Sequence, residues 1–495
     1  MVNQADIDAL RDKPLEPRQL LIGGKFRGAE DGATMTVTSP IDGTDLTTIA
    51  KAGQRDVDAA VFAARRSFDA GAWSGAAPKE RKKVLLRLAD LIEKNALELA
   101  VLGVRDNGTE FKMAIRAEPG SAAATFRYYA EAIDKVYGEV APTGAEHLGL
   151  MLREPVGVVG AIVPWNFPLM IGAWKLAPAL AVGNSVILKP AESASLSLLR
   201  LGELALEAGL PEGVLNIVTG RGSETGEALS LHMDVDVLAF TGSGTVGRRL
   251  LEYSARSNLK RVFLELGGKS PNIVFADTSD IEAAVAGSIN GMFRNSGQVC
   301  VAGSRLLVQK QIADEFTEKL IAAARALVVG DPLDLHSDVG AVSNAEQLAT
   351  NLKYIDIARS EDATLATGGK RILEDSGGYY LEPTVFTGVQ TDMRIAQEEI
   401  FGPVLCVMEF EDVEDAIQIA NSTPYGLAAG VWTSNLGKAH QMVRAIKTGV
   451  VHVNCYGGAD ISLPLGGVKQ SGNGHDRSLH AMDKFTDLKT AWFSI

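Results

Sequence analysis

One cysteine stands in a setting that favours nucleophilic chemistry. Cys300 follows the polar, turn-rich stretch NSGQV at 295–299. A thiolate attacks carbonyl carbons well when the sulfur is partly exposed and its pKa is lowered. Nothing near Cys300 in the sequence resembles the histidine of a cysteine protease, so a base would have to be another residue type. The alternative interpretation is an inert core cysteine, which is also what we expect of Cys406 and Cys455.

Glu265 is the candidate for that base. It ends an apolar run, FLELGG, between Leu264 and Leu266. An apolar setting raises the pKa of a carboxyl and makes its ionised form a useful base near neutral pH. The alternative is a charge that is satisfied at the end of a strand.

Two glycine-rich segments follow predicted strands and open predicted helices. LNIVTGRGSETGEAL carries Gly220, Gly222 and Gly226, with one residue too many for the usual dinucleotide fingerprint, and AFTGSGTVGRRL carries GSG at 242–244. Two helix N-termini at one sheet edge would suit a pyrophosphate. Glycines also serve plain tight turns, so each segment alone is weak support.

The pattern of secondary-structure elements that must position these residues predicts an α/β fold. From 156 to 268 apolar, β-rich runs alternate with helical patterns, which predicts a parallel, doubly wound sheet. A second α/β block begins after Ser270. HLGLMLREPVG at 147–157 and DLKTAWFSI at 487–495 resemble strands outside both blocks. Unpaired edges of this kind often pair between subunits, so we expect a homo-oligomer.

Composition narrows the class of function. A chain of 495 residues with 46% hydrophobic content predicts two or more domains, and a net charge of -13 argues against nucleic acid and anionic membranes as partners. Three cysteines and seven scattered histidines predict neither a disulfide framework nor a metal site. We expect a cytoplasmic protein that acts on a small molecule.

Eight motifs, in order, resemble those of the NAD(P)-dependent, hydrolytic aldehyde dehydrogenase superfamily over nearly the whole chain. They are VPWNFP (163–168), LKPAE (188–192), FTGSGTVG (240–247), LELGGKSP (264–271), GQVC (297–300), EEIFGPV (398–404), PYGLAAGVWT (424–433) and PLGGVKQSGNG (464–474). The resemblance implies a Rossmann-like NAD-binding domain, an α/β catalytic domain and a small β oligomerisation element. The corresponding ranges are 20–138 with 156–266, then 267–465, and 139–155 with 480–495.

The resemblance also implies the catalytic roles. Cys300 would attack the aldehyde carbon, and Asn166 with the backbone N–H of Cys300 would bind the oxyanion. Glu265 would activate the water that hydrolyses the thioester. Members that transfer the acyl group to coenzyme A typically lack that glutamate.

NAD is the implied cofactor. Lys189 and Glu192 resemble the pair that holds the adenine ribose, and Glu192 would repel the 2′-phosphate of NADP. Ser243 would lie at the pyrophosphate and Glu399 at the nicotinamide ribose. The other implied cofactor residues are Pro164, Trp165, Gly222, Gly226, Gly242, Gly247, Leu266 and Phe401.

The implied substrate tunnel is apolar and narrow, with a wide, acidic mouth. The tunnel residues are Phe167, Met170, Trp174, Val299, Val301 and Leu465. At the mouth a large aromatic residue is replaced by GGA at 457–459, followed by Asp460. Asp460 and Glu118 would attract a cationic or amide tail; the alternative is that both are solvated surface acids.

Two stretches, 128–143 and 469–490, resemble the bacterial γ-glutamyl-γ-aminobutyraldehyde dehydrogenases of polyamine catabolism. This implies ω-amino or γ-glutamylamino aldehydes as substrates. His475 departs from the usual arginine, and DNGTEF at 106–111 departs from the usual pattern at what we expect to be a surface helix boundary. The alternatives are a broad-range aliphatic aldehyde dehydrogenase, a cofactor-independent thiol esterase and a non-catalytic structural protein.

Overall fold

A computed structural model describes residues 2–458 and 460–495. Its helices are α1 Gln4–Arg11, α2 Gln54–Asp69, α3 Pro78–Lys94, α4 Ala96–Asn107, α5 Phe111–Ile115, α6 Ser121–Ala132, α7 Pro168–Ala181, α8 Leu196–Glu207, α9 Glu227–Leu231, α10 Gly244–Arg256, α11 Ile281–Phe293, α12 Ala313–Arg325, α13 Ala345–Ser360, α14 Arg394–Gln397, α15 Val413–Asn421 and α16 Leu436–Ala445.

The strands are β1 Leu20–Ile22, β2 Lys25–Arg27, β3 Thr34–Thr38, β4 Asp45–Ala50, β5 Glu139–Ala141, β6 His147–Pro155, β7 Val158–Ile162, β8 Ser185–Lys189, β9 Leu215–Ile217, β10 Val237–Thr241, β11 Arg261–Glu265, β12 Pro271–Val274, β13 Arg305–Gln309, β14 Thr364–Thr367, β15 Arg371–Ile372, β16 Tyr380–Leu381, β17 Thr384–Thr387, β18 Val404–Phe410, β19 Ala428–Trp432, β20 Val450–Val453 and β21 Thr486–Ser494.

The first large sheet contains the alternating segment from 156 to 268. Its order is β11-β10-β7-β8-β9-β1-β2, and the five strands from this segment are parallel. Strands β7 and β8 are buried along their whole length, as expected of strands covered on both faces. The parallel sheet predicted from the sequence is confirmed. The antiparallel strands β1 and β2 extend it, and with three residues each they are too short to show an alternating pattern.

The second large sheet begins with β12, directly after Ser270. Its order is β14-β17-β18-β13-β12-β19-β20, and all pairs are parallel except β14 with β17. Together the two sheets and their helices make the α/β fold expected from the sequence.

A third sheet, β21-β6-β5, lies apart from the other two. Strand β21 pairs antiparallel with β6 over nine residues, from Thr486 opposite Pro155 to Ser494 opposite His147. The two segments were expected to be unpaired edges, and this is corrected, because they pair with each other within the chain. Large apolar side chains of this sheet, such as Leu488 and Trp492, remain exposed.

Among the residues described, no helix combines the length and the apolar character needed to cross a bilayer.

Candidate active site

The nucleophile follows a tight turn at the end of α11. After Phe293 the chain reverses through Asn295 (φ 48°), Ser296 (φ 51°) and Gly297 (φ 71°), and reaches Cys300 three residues later. The left-handed region costs a non-glycine residue about 1–2 kcal/mol, so this turn persists only if its surroundings hold it. At Gly297 a Cβ would lie 2.3 Å from the carbonyl oxygen of Gly402.

The surroundings that hold the turn come from residues 109 and 110. Both carboxylate oxygens of Glu110 accept from the backbone N–H of Asn295 at 3.1 Å, and Thr109 Oγ1 donates to Asn295 Oδ1 at 2.7 Å. Glu110 and Thr109 are both buried, with 4% and 1% of their surface exposed, respectively. The expectation for 106–111 is confirmed in part: α4 ends at Asn107 and α5 begins at Phe111, so the segment is a helix boundary. Its expected place on the surface is wrong, because the segment is buried under the nucleophile's turn.

Asn166 lies against the same turn, in position to serve an oxyanion. Its Nδ2 donates to the carbonyl oxygen of Gln298 at 2.8 Å, and Asn295 Nδ2 donates to the carbonyl oxygen of Asn166 at 3.0 Å. One Nδ2–H of Asn166 is left over. The backbone N–H of Cys300 makes no hydrogen bond within the part of the chain that the structure describes. The two donors implied by the resemblance are thus both available.

The thiol of Cys300 is partly buried and surrounded by opposing charges. Burial raises its pKa to about 12, and the carboxyls of Glu399 and Glu265 act in the same direction. The backbone N–H of Val301 and the guanidinium of Arg294 act to lower this pKa. The net shift is upward, so the lowered pKa expected of this cysteine from the sequence is not found.

Glu265 is the last residue of β11 and is buried, with no described partner for its Oε1 atom. Burial and the nearby charge of Asp476 raise its pKa well above the ordinary carboxyl value. Asp476 is itself buried, which disfavours its charged form, but Lys175 and Lys484 donate to it at 2.6 Å each and hold its pKa below the ordinary value. The geometry gives Glu265 a proton affinity suited to a general base.

A cavity of about 270 Å³ opens beside Cys300. Its lining brings together the predicted residues Pro164, Trp165, Asn166, Gly242, Ser243, Leu266, Glu399 and Phe401. Trp165 and Phe401 meet edge to face at 5.3 Å, and Gln347 Nε2 donates to the carbonyl oxygen of Phe401 at 3.0 Å. Glu399 Oε1 accepts from the backbone N–H of Gly268 at 3.0 Å, and burial raises the pKa of Glu399 to about 7.

The remaining predicted cofactor residues lie outside this lining. Lys189 Nζ, almost completely buried, donates to Glu192 Oε2 at 3.4 Å, and its side chain passes Gly226. Gly247 allows α10 to pack on β11, because a Cβ there would lie 2.9 Å from a methyl group of Leu266. Gly222 opens a single π-helical turn that ends at Gly226.

These residues fit a dinucleotide. Ser243 caps α10 by accepting from the backbone N–H of Val246, which leaves the N-terminus of this helix at the cavity wall. Helix N-termini favour phosphate groups. The buried Thr241 Oγ1 has no described partner, and the Lys189–Glu192 pair offers both a donor and an acceptor to ribose hydroxyls.

A second and larger cavity, about 940 Å³, has no lining residue in common with the first. Of the predicted tunnel residues, Met170 and Trp174 line it. Phe167 and Val299 are buried in the core, and Val301 and Leu465 pack against the same core; these four are not among the lining residues.

The mouth differs from the acidic surface that was predicted. Glu118 is 2% exposed and its Oε2 accepts from the backbone N–H of Met170 at 2.7 Å, so it is neither a mouth residue nor a solvated acid. Burial raises its pKa to about 8. Asp460 is exposed, accepts from the backbone N–H of Ser462 and does not line the cavity, and Ala459 lies outside the described residues. Instead, the charged lining is mostly basic: Lys112, Arg116, Arg294 and Arg477, with Glu110 and Asp338.

Comparison with known proteins agrees with this geometry. A sequence model described as "Aldehyde dehydrogenase family" matches residues 26–491. The chain belongs to the aldehyde dehydrogenase family. Its relatives include the NADP/NAD-dependent aldehyde dehydrogenase PuuC of Escherichia coli (strain K12), 48% identical over 477 residues that cover 96% of each protein.

Solved aldehyde dehydrogenase structures superpose on the whole chain. The gamma-glutamyl-gamma-aminobutyraldehyde dehydrogenase of Burkholderia cenocepacia J2315 is 51% identical with a TM-score of 0.97. The indole-3-acetaldehyde dehydrogenase AldA of P. syringae, in complex with NAD+ and IAA, is 50% identical with a TM-score of 0.98. Both comparisons cover 100% of each chain, so the predicted family and fold class are confirmed.

Sequence reasoning missed several residues around the site of this aldehyde dehydrogenase. Glu110 lies in the departing stretch DNGTEF, and its charge between Thr109 and Phe111 was the available signal. Arg294 and Arg477 flank the motifs NSGQVC and SGNGHD. Their convergence on one cavity depends on long-range folding and leaves no local pattern. Cys455, expected in the core, is exposed, whereas Cys406 is buried as expected.

Proposed function

We propose that this chain oxidises an aldehyde to a carboxylic acid with NAD, through a thioester on Cys300. The observation that carries the proposal is the meeting of Cys300, Asn166, Glu399 and Phe401 at one cavity. Glu265 is close enough to influence the charge of the thiol. A nucleophile, an oxyanion donor and a base are thus present together.

Bond formation begins at the sulfur. Cys300 Sγ releases its proton to solvent and attacks the aldehyde carbon, the π bond of the carbonyl breaks, and the carbonyl oxygen becomes the oxyanion of a thiohemiacetal. Asn166 Nδ2 and the backbone N–H of Cys300 donate to that oxygen, and removing one such donor typically costs about 10²–10³ in rate. Oxidation of the thiohemiacetal carbon needs a hydride acceptor, which bound NAD would supply. Cys300 then carries the acyl group as a thioester.

Glu265 completes the turnover. Its carboxylate takes a proton from a water molecule, the water oxygen attacks the thioester carbon, and the C–S bond breaks. The carboxylic acid departs and the thiol of Cys300 is restored. The raised pKa of Glu265 is what a base for this step needs, since it is then a stronger proton acceptor than an ordinary carboxylate.

We propose NAD rather than NADP as the preferred cofactor. Glu399 and Phe401 would hold the nicotinamide end, Ser243 and Gly242 the pyrophosphate, and Lys189 and Glu192 the adenine ribose. The side chain of Glu192 is 44% exposed beside Lys189, so it would face the extra phosphate of NADP as a like charge.

We propose ω-amino or γ-glutamylamino aldehydes of polyamine catabolism as substrates, with broad aliphatic activity as the alternative. The name of one relative, the gamma-glutamyl-gamma-aminobutyraldehyde dehydrogenase of Burkholderia cenocepacia J2315, supports the γ-glutamylamino aldehydes. We further propose that the chain forms a homo-oligomer in the cytoplasm. The proposed NAD-binding domain is 20–138 with 156–266, the catalytic domain is 267–465, and the oligomerisation element is 139–155 with 480–495. The exposed apolar side chains of β21 support the proposed homo-oligomer.

The test is NADH formation followed by absorbance, with propanal, 4-aminobutanal or γ-glutamyl-4-aminobutanal and with NAD or NADP. We expect turnover with NAD in the wild type and none in Cys300→Ala. Turnover that persists in Cys300→Ala would overturn the mechanism. Similar rates with all three aldehydes would favour the broad-range alternative.

A further inference from the structure

The large cavity carries more positive charge than its own carboxyls neutralise. Asp338 Oδ1 is already paired with Lys112 Nζ at 3.0 Å. Glu110 is committed to the backbone N–H of Asn295. The nearby Asp460 is exposed and forms no ion pair with Arg477 at the distances described.

Three arginines of this cavity form no direct ion pair, although carboxylates lie near two of them. Among residues 2–458 and 460–495, Arg116, Arg294 and Arg477 form no ion pair, and the Nε atoms of Arg294 and Arg477 are buried without an acceptor. A guanidinium does not deprotonate in proteins, so its charge stays. Leaving buried donors of a charged group unsatisfied costs free energy. An anion in the cavity would remove that cost.

The arginines share the cavity with an apolar wall. Met170, Trp174 and Phe293 line it, and the guanidinium of Arg477 lies over the Trp174 ring at 5.5 Å from its centroid. The charges of both Arg294 and Arg477 are felt at the Cys300 thiol. Cys300 does not line this cavity, but Arg294 lies six residues before it and Met170 four residues after Asn166. A ligand that extends from Cys300 into the cavity would have its chain against apolar side chains and its far end among the guanidinium groups.

We propose that the cavity accepts aldehydes whose far end carries a carboxylate, and that Arg294 and Arg477 bind this carboxylate. This rests on the proposed aldehyde oxidation. The planar guanidinium matches a carboxylate through two parallel hydrogen bonds, which an ammonium group cannot do. γ-Glutamylamino aldehydes end in such a carboxylate and belong to the class. Aldehydes that end only in an ammonium group would face like charges, so of the two substrate types proposed above the cavity selects the γ-glutamylamino aldehydes over the ω-amino aldehydes.

The experiment compares aldehydes of one chain length that differ in tail charge. Wild-type kcat/KM with NAD is measured for 6-oxohexanoate, its neutral methyl ester and hexanal, and for the cation 4-trimethylammoniobutanal. We expect 6-oxohexanoate to have the highest kcat/KM and the cation the lowest. In Arg477→Gln and in Arg294→Gln the ratio of kcat/KM for 6-oxohexanoate to that for its methyl ester should fall roughly tenfold or more, mainly through KM, as for a lost hydrogen bond to a charged group.

The controls separate tail binding from damage to the fold. Arg359→Gln removes an exposed arginine of α13 that pairs with Asp356, and it should leave the ratio unchanged. Arg477→Lys keeps the charge and should recover part of the ratio. Thermal unfolding of each variant identifies those that fold, and Arg294→Gln serves if Arg477→Gln does not.

The outcomes distinguish the two proposals. If the wild type oxidises none of these aldehydes, the proposed function fails. If it oxidises hexanal but shows no preference for 6-oxohexanoate over the methyl ester, or if both glutamine variants keep the wild-type ratio, the function stands and the carboxylate site is overturned.

Discussion

At the scale of single residues, the nucleophile depends on a turn that its own sequence does not favour. Asn295 and Ser296 both adopt left-handed backbone conformations. The carboxylate of Glu110 holds the first of them through its backbone N–H, and Asn295 in turn donates to the backbone of Asn166. Glu110 lies outside the lining of the cavity beside Cys300, yet through these contacts it holds both the turn before the thiol and the backbone of Asn166.

Glu110 provides the first prediction. Glu110→Met leaves the buried N–H of Asn295 without an acceptor, which should destabilise the protein by about 1–3 kcal/mol and lower kcat about tenfold, because a small displacement of reacting groups is costly. Glu110→Gln keeps a carbonyl acceptor and should retain most of the stability and most of kcat. Steady-state kinetics with propanal and thermal unfolding measure the two effects. Equal losses in the two variants would show that the hydrogen bond is not what matters.

Glu265 provides the second prediction. Glu265→Gln removes the base but leaves Cys300 and Asn166 in place, so acylation should still produce one burst of NADH while steady turnover falls by about 10²–10⁴. Stopped-flow absorbance separates the burst from the steady rate. Absence of the burst would assign Glu265 to an earlier step.

The pH dependence of the same residue provides a third. The base must be ionised, and its pKa is raised, so wild-type kcat should fall as the pH drops through a range well above that of an ordinary carboxyl. Rates measured from mildly acidic to mildly alkaline pH would locate that fall. A kcat that stays constant until the pH reaches the ordinary carboxyl range would contradict the assignment.

At the scale of elements, α7 shows how one buried carboxyl serves a helix. Glu118 accepts from the backbone N–H of Met170 in the first turn of α7, where main-chain donors lack partners. Met170 and Trp174, on the same helix, line the large cavity. Glu118 therefore affects the large cavity by fixing a helix that lines it and not by presenting a charge there.

Glu118 provides the fourth prediction. Its pKa is about 8 in the folded chain against 4.5 when exposed, so the folded state binds the proton more tightly. Stability is therefore lost as the pH rises from about 4.5 to about 8. Glu118→Gln keeps the acceptor without the charge, and its unfolding temperature should fall less over that range. Parallel pH curves for the wild type and Glu118→Gln would contradict this, and Glu118→Met, without an acceptor, should be destabilised throughout.

The strands around the site were predictable, but the contacts between them were less so. Strands such as β7 and β8 are recognisable in the sequence as continuous apolar runs. The resemblance in eight motifs predicts the roles of Cys300, Glu265 and Asn166. No sequence pattern predicts the role of Glu118, because the sequence around a glutamate does not show whether its side chain is buried or solvated. Its role depends on which helix end the fold brings beside it.

At the scale of the whole molecule, the third sheet presents an apolar face to its surroundings. Leu488 and Trp492 lie on one face of β21, four residues apart on a strand whose side chains alternate, and both are more than half exposed. Exposed apolar surface of this kind marks association sites.

This face provides the fifth prediction. Leu488→Glu with Trp492→Glu would bury charges in any interface formed there, so sedimentation should show a smaller species than the wild type. Lys489→Gln, on the opposite face of β21, is the matched control and should sediment as the wild type does. An unchanged assembly in the double variant would place the association surface elsewhere.

The arginine-lined cavity and the cavity beside Cys300 share no lining residue, and this has a consequence for inhibition. A compound that occupies the arginine-lined cavity leaves the space beside Glu399 and Phe401 free, and a dinucleotide mimic does the reverse. Raising the NAD concentration should therefore not relieve inhibition by the first kind of compound. The two kinds should therefore bind to the enzyme at the same time.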